Sequence, residues 1–274
     1  MYKLVTCDMD ETLLSDDRTI TPKTVAAIKE ASAQGVYFVP NTGRNFLTIQ
    51  DNLATLGLKQ QKGQYVISFN GGAIVENAGP KVLTTQALDF ELAKKLWQLG
   101  MDRGYCVHVY TVDKLYIWNP SQTDATYLTG RVAGWELPQE TIDILATTPI
   151  VKVLYEVLDE QKRLEVKATV NAEIDASLNI TFSSDRYVEF NDQAATKGAA
   201  VLKLGEMLGI KREEIIAIGD NGNDLSMIEA CGLGVSMANG RDFLKAKAQY
   251  VTQNDNNHDG VAEVIEKFIL NPAD

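Results

Sequence analysis

The chain has 274 residues, 45% hydrophobic and 23% charged, which is the balance of a folded globular protein rather than a disordered or fibrous one. At about 100–200 residues per domain, that length admits two domains. With 26 Lys and Arg against 37 Asp and Glu, the formal charge of −11 disfavours nucleic-acid and membrane-surface partners, since both present anionic groups.

Lys3 to Cys7 is an apolar run closed by acid, as a buried strand would be. Thr21-Pro22 then reads as an N-cap and first helical turn. Val25, Ile28 and Ala31 follow at helical spacing, and Gly35 stands where a C-terminal glycine belongs. Tyr37 to Val39 is a second strand, Phe46 to Leu56 a second helix and Tyr65 to Phe69 a third strand. This alternation predicts a parallel sheet with right-handed crossovers.

Past about residue 83 the pattern changes. Leu88 to Arg103 reads as a helix, and Tyr105 to Tyr110 with Leu115 to Trp118 as an antiparallel hairpin. A strand (Val151 to Leu158), a helix (Gln161 to Asn171) and a strand pair through Ile180 to Phe190 complete an α+β insert. The parallel pattern resumes with helix Thr196 to Leu208, strand Ile215 to Ile218, helix Asp224 to Cys231, strand Leu233 to Ser236 and a closing helix Gly260 to Leu270. The expected layout is an α/β domain, residues 1–83 and 191–274, interrupted by a smaller α+β domain, residues 84–190.

Cys7, Cys106 and Cys231 are odd in number and lack a Cys-x-x-Cys pair, so they read as small buried hydrophobes in a reducing compartment. No segment has the ~20 apolar residues of a membrane span. Acid at Asp8 also comes too early for a signal-peptide apolar region, and a cytoplasmic protein is expected. His108 alternates with Val107 and Val109 and is expected at a surface or partly buried position. His258 is expected to cap or precede the last helix.

The chemistry concentrates at strand ends. Asp8-Met9-Asp10-Glu11-Thr12 leaves the first strand where open α/β sheets bind ligands. Residues i and i+2 of extended chain point the same way, so Asp8 and Asp10 would share one space, at a cost in free energy unless a cation or proton lies between them. Gly219-Asp220-Asn221-Gly222-Asn223-Asp224 lies likewise between a strand and a helix. Acids converging from two parallel strands form a hard-oxygen site of the kind magnesium takes. Zinc would call for Cys and His, and the chain has only two His. Asn41-Thr42-Gly43-Arg44 supplies a hydroxyl and backbone N–H groups after the second strand. Lys197 opens a helix whose dipole it opposes, a placement that makes sense with an anion bound there.

In this order the motifs resemble the haloacid dehalogenase superfamily of phosphatases: Asp-x-Asp-x-Thr, a strand-end Thr-Gly-Arg, a helix-start Lys, then Gly-Asp-x-x-Asn-Asp. The resemblance spans the chain. The insert between the second and third motifs is similar to a C2-type cap, as in the Cof-type sugar-phosphatase group. It implies a Rossmann-like parallel-sheet core and a Mg2+-dependent phosphatase acting on a small phosphorylated metabolite, a sugar phosphate foremost. Asp8 would be the nucleophile and Asp10 the general acid and base. Asp8, the Asp10 carbonyl and Asp220 would hold magnesium, with Asp224 orienting them. Lys197, Thr42, Asn223 and the N–H groups of Met9 and Gly43 would cradle the phosphoryl oxygens. Arg44 is expected on the active-site side, and the cap would close over the site and select the substrate. Glu11 departs from the pattern, since many members carry glycine there; Asn41 departs where a small residue is common, with little effect expected.

A phosphomutase would keep the same core residues. An Asp-phosphorylated signalling receiver also uses paired acids, Thr and Lys, but it is about half this length and lacks the second acid as proton donor. A catalytically idle sugar-phosphate binder would show a broken motif, and none of Asp8, Asp10, Lys197 or Asp220 is missing. No obligate protein partner is evident.

Overall fold

Leu4–Cys7 (β1) is buried along its whole length, as expected of a central strand covered on both faces. In this computed structural model, which describes residues 1–132 and 134–272, β1 pairs in parallel with Tyr37–Pro40 (β2) on one side and Ile215–Gly219 (β11) on the other. Leu233–Ser236 (β12) and Tyr250–Val251 (β13) extend the sheet to the order β13-β12-β11-β1-β2. Cys7 is level with both Pro40 and Ile218 in the register. Asp8, Asn41 and Gly219 therefore stand at one height, and the three loops that follow share the sheet's carboxyl edge.

Pro22–Ala33 (α1) starts as its sequence requires: Thr21 Oγ1 accepts the Thr24 N–H, and Pro22 fills the first turn. Its buried residues, Thr24, Ala27, Ile28 and Ala31, form one helical stripe. The expected helix from Phe46 begins as a single 3₁₀ turn and becomes α-helical only over Gln50–Leu56 (α2). Tyr65–Ser68 (β3) joins the parallel array through one bridge, Asn41 to Ile67, and then turns back to pair antiparallel with Ala73–Glu76 (β4). Lys81–Thr85 (β5) lies beside β4.

The chain divides into two compact units, Met1–Thr84 with the segment from Thr196 onward, and Thr85–Ala195. In the second, Cys106–Thr111 (β6), Leu115–Trp118 (β7), Ile150–Glu156 (β8), Asn179–Ser183 (β9) and Tyr187–Asn191 (β10) form an antiparallel sheet in the order β7-β6-β8-β10-β9. Val107, Val109, Val153, Tyr155, Val188 and Phe190 build its core with Phe90–Asp102 (α3) and Glu160–Glu173 (α5). A short helix, Gln122–Leu128 (α4), follows β7. In the first unit Lys197–Leu208 (α6), Leu225–Ala230 (α7), Asp242–Lys245 (α8) and Gly260–Ile265 (α9) complete the fold. No helix among the described residues is long and apolar enough to cross a membrane.

Candidate active site

Asp8 is the first residue beyond β1, and its N–H still donates to the Ile218 carbonyl at 3.0 Å, which fixes its height at the sheet edge. Its carboxylate is nearly buried and accepts a hydrogen bond from Lys197 Nζ. Lys197 is fully buried at the start of α6, where Thr196 Oγ1 caps the Ala199 N–H. Gly198 lets α6 approach α7, because a Cβ there would meet the Ser226 carbonyl oxygen at 2.3 Å. The lysine also donates to Asp224 Oδ1 at 2.7 Å. Asp224 Oδ2 in turn accepts the N–H groups of Asp220 at 2.9 Å and Asn221 at 3.0 Å. Thr12 Oγ1 donates to Asp220 Oδ1 at 2.7 Å and so ties the loop after β1 to the loop after β11.

Asp8 and Asp224 thus share one ammonium, while the buried Asp220 beside them accepts from Thr12. Burial, with Asp224 and Asp220 nearby, drives the Asp8 carboxyl well above its ordinary range, although Lys197 opposes the shift. Burial and the Asp224 charge push Asp220 up to about 7. Burial alone would depress Lys197, but Asp224 and Asp8 outweigh it and raise the lysine. Carboxylate oxygens of Asp8, Asp220 and Asp224 lie within 4.8 Å of one another. This all-oxygen donor set with excess negative charge fits a hard divalent cation. Both oxygens of Asp224 are engaged, one by Lys197 and the other by the N–H groups of Asp220 and Asn221.

The remaining candidates lie around this cluster. Asp10 is half exposed and meets Arg44 in a two-pronged pair, Nε to Oδ2 at 2.8 Å and Nη2 to Oδ1. Thr42 is buried, with Oγ1 accepting the Arg44 N–H at 3.1 Å. Gly43 passes so close to Asn70 that a Cβ would stand 3.1 Å from Asn70 Oδ1. Asn223 donates to that oxygen at 3.2 Å. Met9 is fully buried, and its carbonyl accepts the Leu14 N–H, which closes the turn over Asp10 and Glu11. Glu11 stands in the left-handed region at φ +58°, a conformation in which any side chain costs more than glycine.

Two residues near the site carry more than the sequence suggested. Asn70, in the turn after β3, bonds the Thr42 carbonyl and Asn223 and is itself left-handed at φ +56°. Its signal was an Asn-Gly-Gly turn at the end of a third strand. Asn41, expected to matter little, is fully buried and donates to Thr6 Oγ1 at 3.2 Å and the Lys197 carbonyl at 3.1 Å. His108 corrects the reading of a surface or partly buried residue. It has no exposure, because α4 brings Asp124 to within 2.8 Å of its Nε2. All three cysteines are free and buried, and His258 precedes α9 in an exposed pairing with Asp255.

Over residues 5–265 the sequence matches the family described as haloacid dehalogenase-like hydrolase. YxeH of Bacillus subtilis (strain 168) is 32% identical over 272 residues, with 98% of this chain and 99% of that one covered. The 5-amino-6-(5-phospho-D-ribitylamino)uracil phosphatase YcsE of the same organism is 31% identical over 268 residues, covering 98% and 96%. The crystal structure of a haloacid dehalogenase-like hydrolase from Bacteroides thetaiotaomicron aligns with a TM-score of 0.85 at 27% identity, covering 97% and 99%.

Proposed function

The chain belongs to the haloacid dehalogenase-like hydrolase family and is a phosphatase, and from that premise we propose that it hydrolyses a small phosphorylated metabolite, a sugar phosphate foremost, through an aspartyl-phosphate on Asp8. The observation that carries this reading is the Asp8 carboxylate, nearly buried at the sheet edge, bonded to Lys197 and short of compensating cations. In the first step an Asp8 oxygen attacks phosphorus, and the ester oxygen leaves with a proton from Asp10. In the second, water attacks the phosphorus, Asp10 takes back a proton, and inorganic phosphate departs with Asp8 restored. Lys197, Thr42, Asn223 and the N–H groups of Met9 and Gly43 would neutralise charge on the phosphoryl oxygens, where catalysis of this transfer chiefly lies.

Asp8, the Asp10 carbonyl and Asp220 would hold Mg2+, oriented by Asp224. Bound there, the ion would offset the buried carboxylates and draw charge from the phosphoryl group. Arg44 would steady Asp10 in its two-pronged pair until a substrate oxygen arrives. The inserted unit is the cap, and we assign substrate selection to it. The substrate named for YcsE carries its phosphate on a ribityl chain, which supports a polyhydroxylated phosphate monoester as the substrate class. Buried free thiols agree with a cytoplasmic site of action.

The test is release of inorganic phosphate from a panel of sugar and cofactor phosphates, comparing wild type with Asp8→Asn, each with magnesium and with chelator. The expected outcome is turnover in wild type with magnesium alone. Transfer of phosphate between positions of one sugar, without release, would replace hydrolysis by the mutase reading.

A further inference from the structure

The left-handed turn at Glu11 (φ +58°, ψ +8°) lies between Asp10 and Thr12, so whatever holds it also sets those two side chains. Two asparagines from late in the same unit grip it. Asn239 donates from Nδ2 to the Glu11 carbonyl at 2.7 Å, while its Oδ1 accepts the Asn256 N–H at 3.2 Å. An acceptor on one side and a donor on the other fix which end of the amide faces the turn. Asn256 is buried. It donates to the Leu14 carbonyl at 3.0 Å and to Asp16 Oδ1 at 3.1 Å, and its own carbonyl accepts Ser15 Oγ at 3.3 Å. The stretch that carries Asn239 also closes on the other acidic loop: the Met237 N–H donates to the Gly219 carbonyl at 3.0 Å, and the Arg241 N–H to the Asp220 carbonyl at 2.9 Å.

We infer that Asn239, braced by Asn256, is a positioning residue for the reaction. Its amide holds the Glu11 carbonyl so that the costly left-handed turn persists, with Asp10 and Thr12 kept in register with Asp8 and Asp220. The inference rests on the phosphatase reading for its kinetic consequence and on the hydrogen bonds for its structural one. It also accounts for a non-glycine residue at this point: the Asn239 bond supplies what glycine would give without help.

The experiment compares wild type, Asn239→Asp, Glu11→Gly and the double variant, with p-nitrophenyl phosphate and magnesium. Asn239→Asp keeps the shape and the acceptor for Asn256 but turns an oxygen, in place of the donor, toward the Glu11 carbonyl. The expected result is a fall in kcat of about fivefold or more, the scale of one lost hydrogen bond, with KM changed less than about twofold. In the Glu11→Gly background the same substitution is expected to cost less than about twofold, because glycine holds the turn unaided. Amide hydrogen exchange in the free protein gives a readout without turnover. Leu13 and Leu14, which donate to the Asp8 and Met9 carbonyls, should exchange about fivefold faster in Asn239→Asp and return toward wild type in the double variant. Wild-type kcat and exchange in Asn239→Asp, or an equal loss in both backgrounds, would overturn the inference. If wild type hydrolyses no phosphate ester, the phosphatase reading fails by itself, and the exchange measurement still decides the role of Asn239.

Discussion

Asp124 in the inserted unit is surrounded by donors. Tyr187 Oη donates to one of its oxygens at 2.6 Å, while His108 Nε2 at 2.8 Å and the Cys106 thiol at 3.8 Å face the other. In the core unit, Asp8 and Asp224 divide a single Lys197, and Asp220 lies beside them with Thr12 as a donor. Both clusters are buried, yet Asp124 shifts in the opposite direction to Asp8 and Asp220. Burial pushes Asp124 up, but His108, Tyr187 and Cys106 outweigh it and hold the carboxyl below its usual range. Asp8 and Asp220 end up raised. A buried charge met in full by its own neighbours serves the fold. One left unbalanced costs stability unless something binds there, and by this contrast the core cluster is the candidate for reaction although both contain paired acid and base.

The largest effect expected from this contrast is on rate. Asp8→Asn should lower kcat by about 10⁴-fold or more, as loss of a nucleophile does, while stability measured by urea unfolding in chelator stays level or rises because one buried charge is gone. Asp124→Ala should do the reverse. It leaves three buried donors unpaired and is expected to cost about 3 kcal/mol of unfolding free energy, with kcat per folded enzyme nearly unchanged. Equal stability losses in the two variants would erase the distinction.

Arg44→Ala probes the margin between these extremes. Its pair with Asp10 is partly solvated and should contribute under about 1 kcal/mol to stability. Steady-state kinetics should nonetheless show a loss of about tenfold in kcat, because Asp10 loses its orientation. The smallest effect is in acid. A carboxyl depressed in the folded state contributes stability above its unfolded pKa of about 3.9, and that contribution fades as pH falls through the lower folded value. Urea midpoints at pH 6 and pH 3 should therefore show Asp124→Asn losing less on acidification than wild type does.

Much of the core cluster could be read in advance because its residues sit where strands end. Asp8, Thr42 and Asp220 each follow an apolar run, and parallel topology brings such ends to one edge. The structural cluster was hidden for the opposite reason. Asp124 lies in a seven-residue, mostly polar helix with two buried side chains, too short to show a helical stripe, and nothing in the spacing of His108 and Asp124 marks them as partners. The hairpin from β3 to β4 was missed because left-handed Phe69 and Asn70 reverse the chain inside what reads as one strand end, and β5 is too exposed to alternate. Asn70, Asn239 and Asn256 read as ordinary turn formers, since what they hold is remote in sequence. Glu11 could be flagged as a departure but not as left-handed, because a side chain there carries no sign of its backbone angle.

The central claim is that the core cluster is left anionic for a divalent cation while the Asp124 carboxylate is met by donors of its own cluster. Calorimetric titration of magnesium into chelator-stripped wild type, Asp220→Asn and Asp124→Asn tests it most directly. The account predicts one ion bound per chain in wild type and Asp124→Asn, and binding weakened by at least about tenfold in Asp220→Asn. Undiminished binding in Asp220→Asn, or a loss in Asp124→Asn instead, would contradict it.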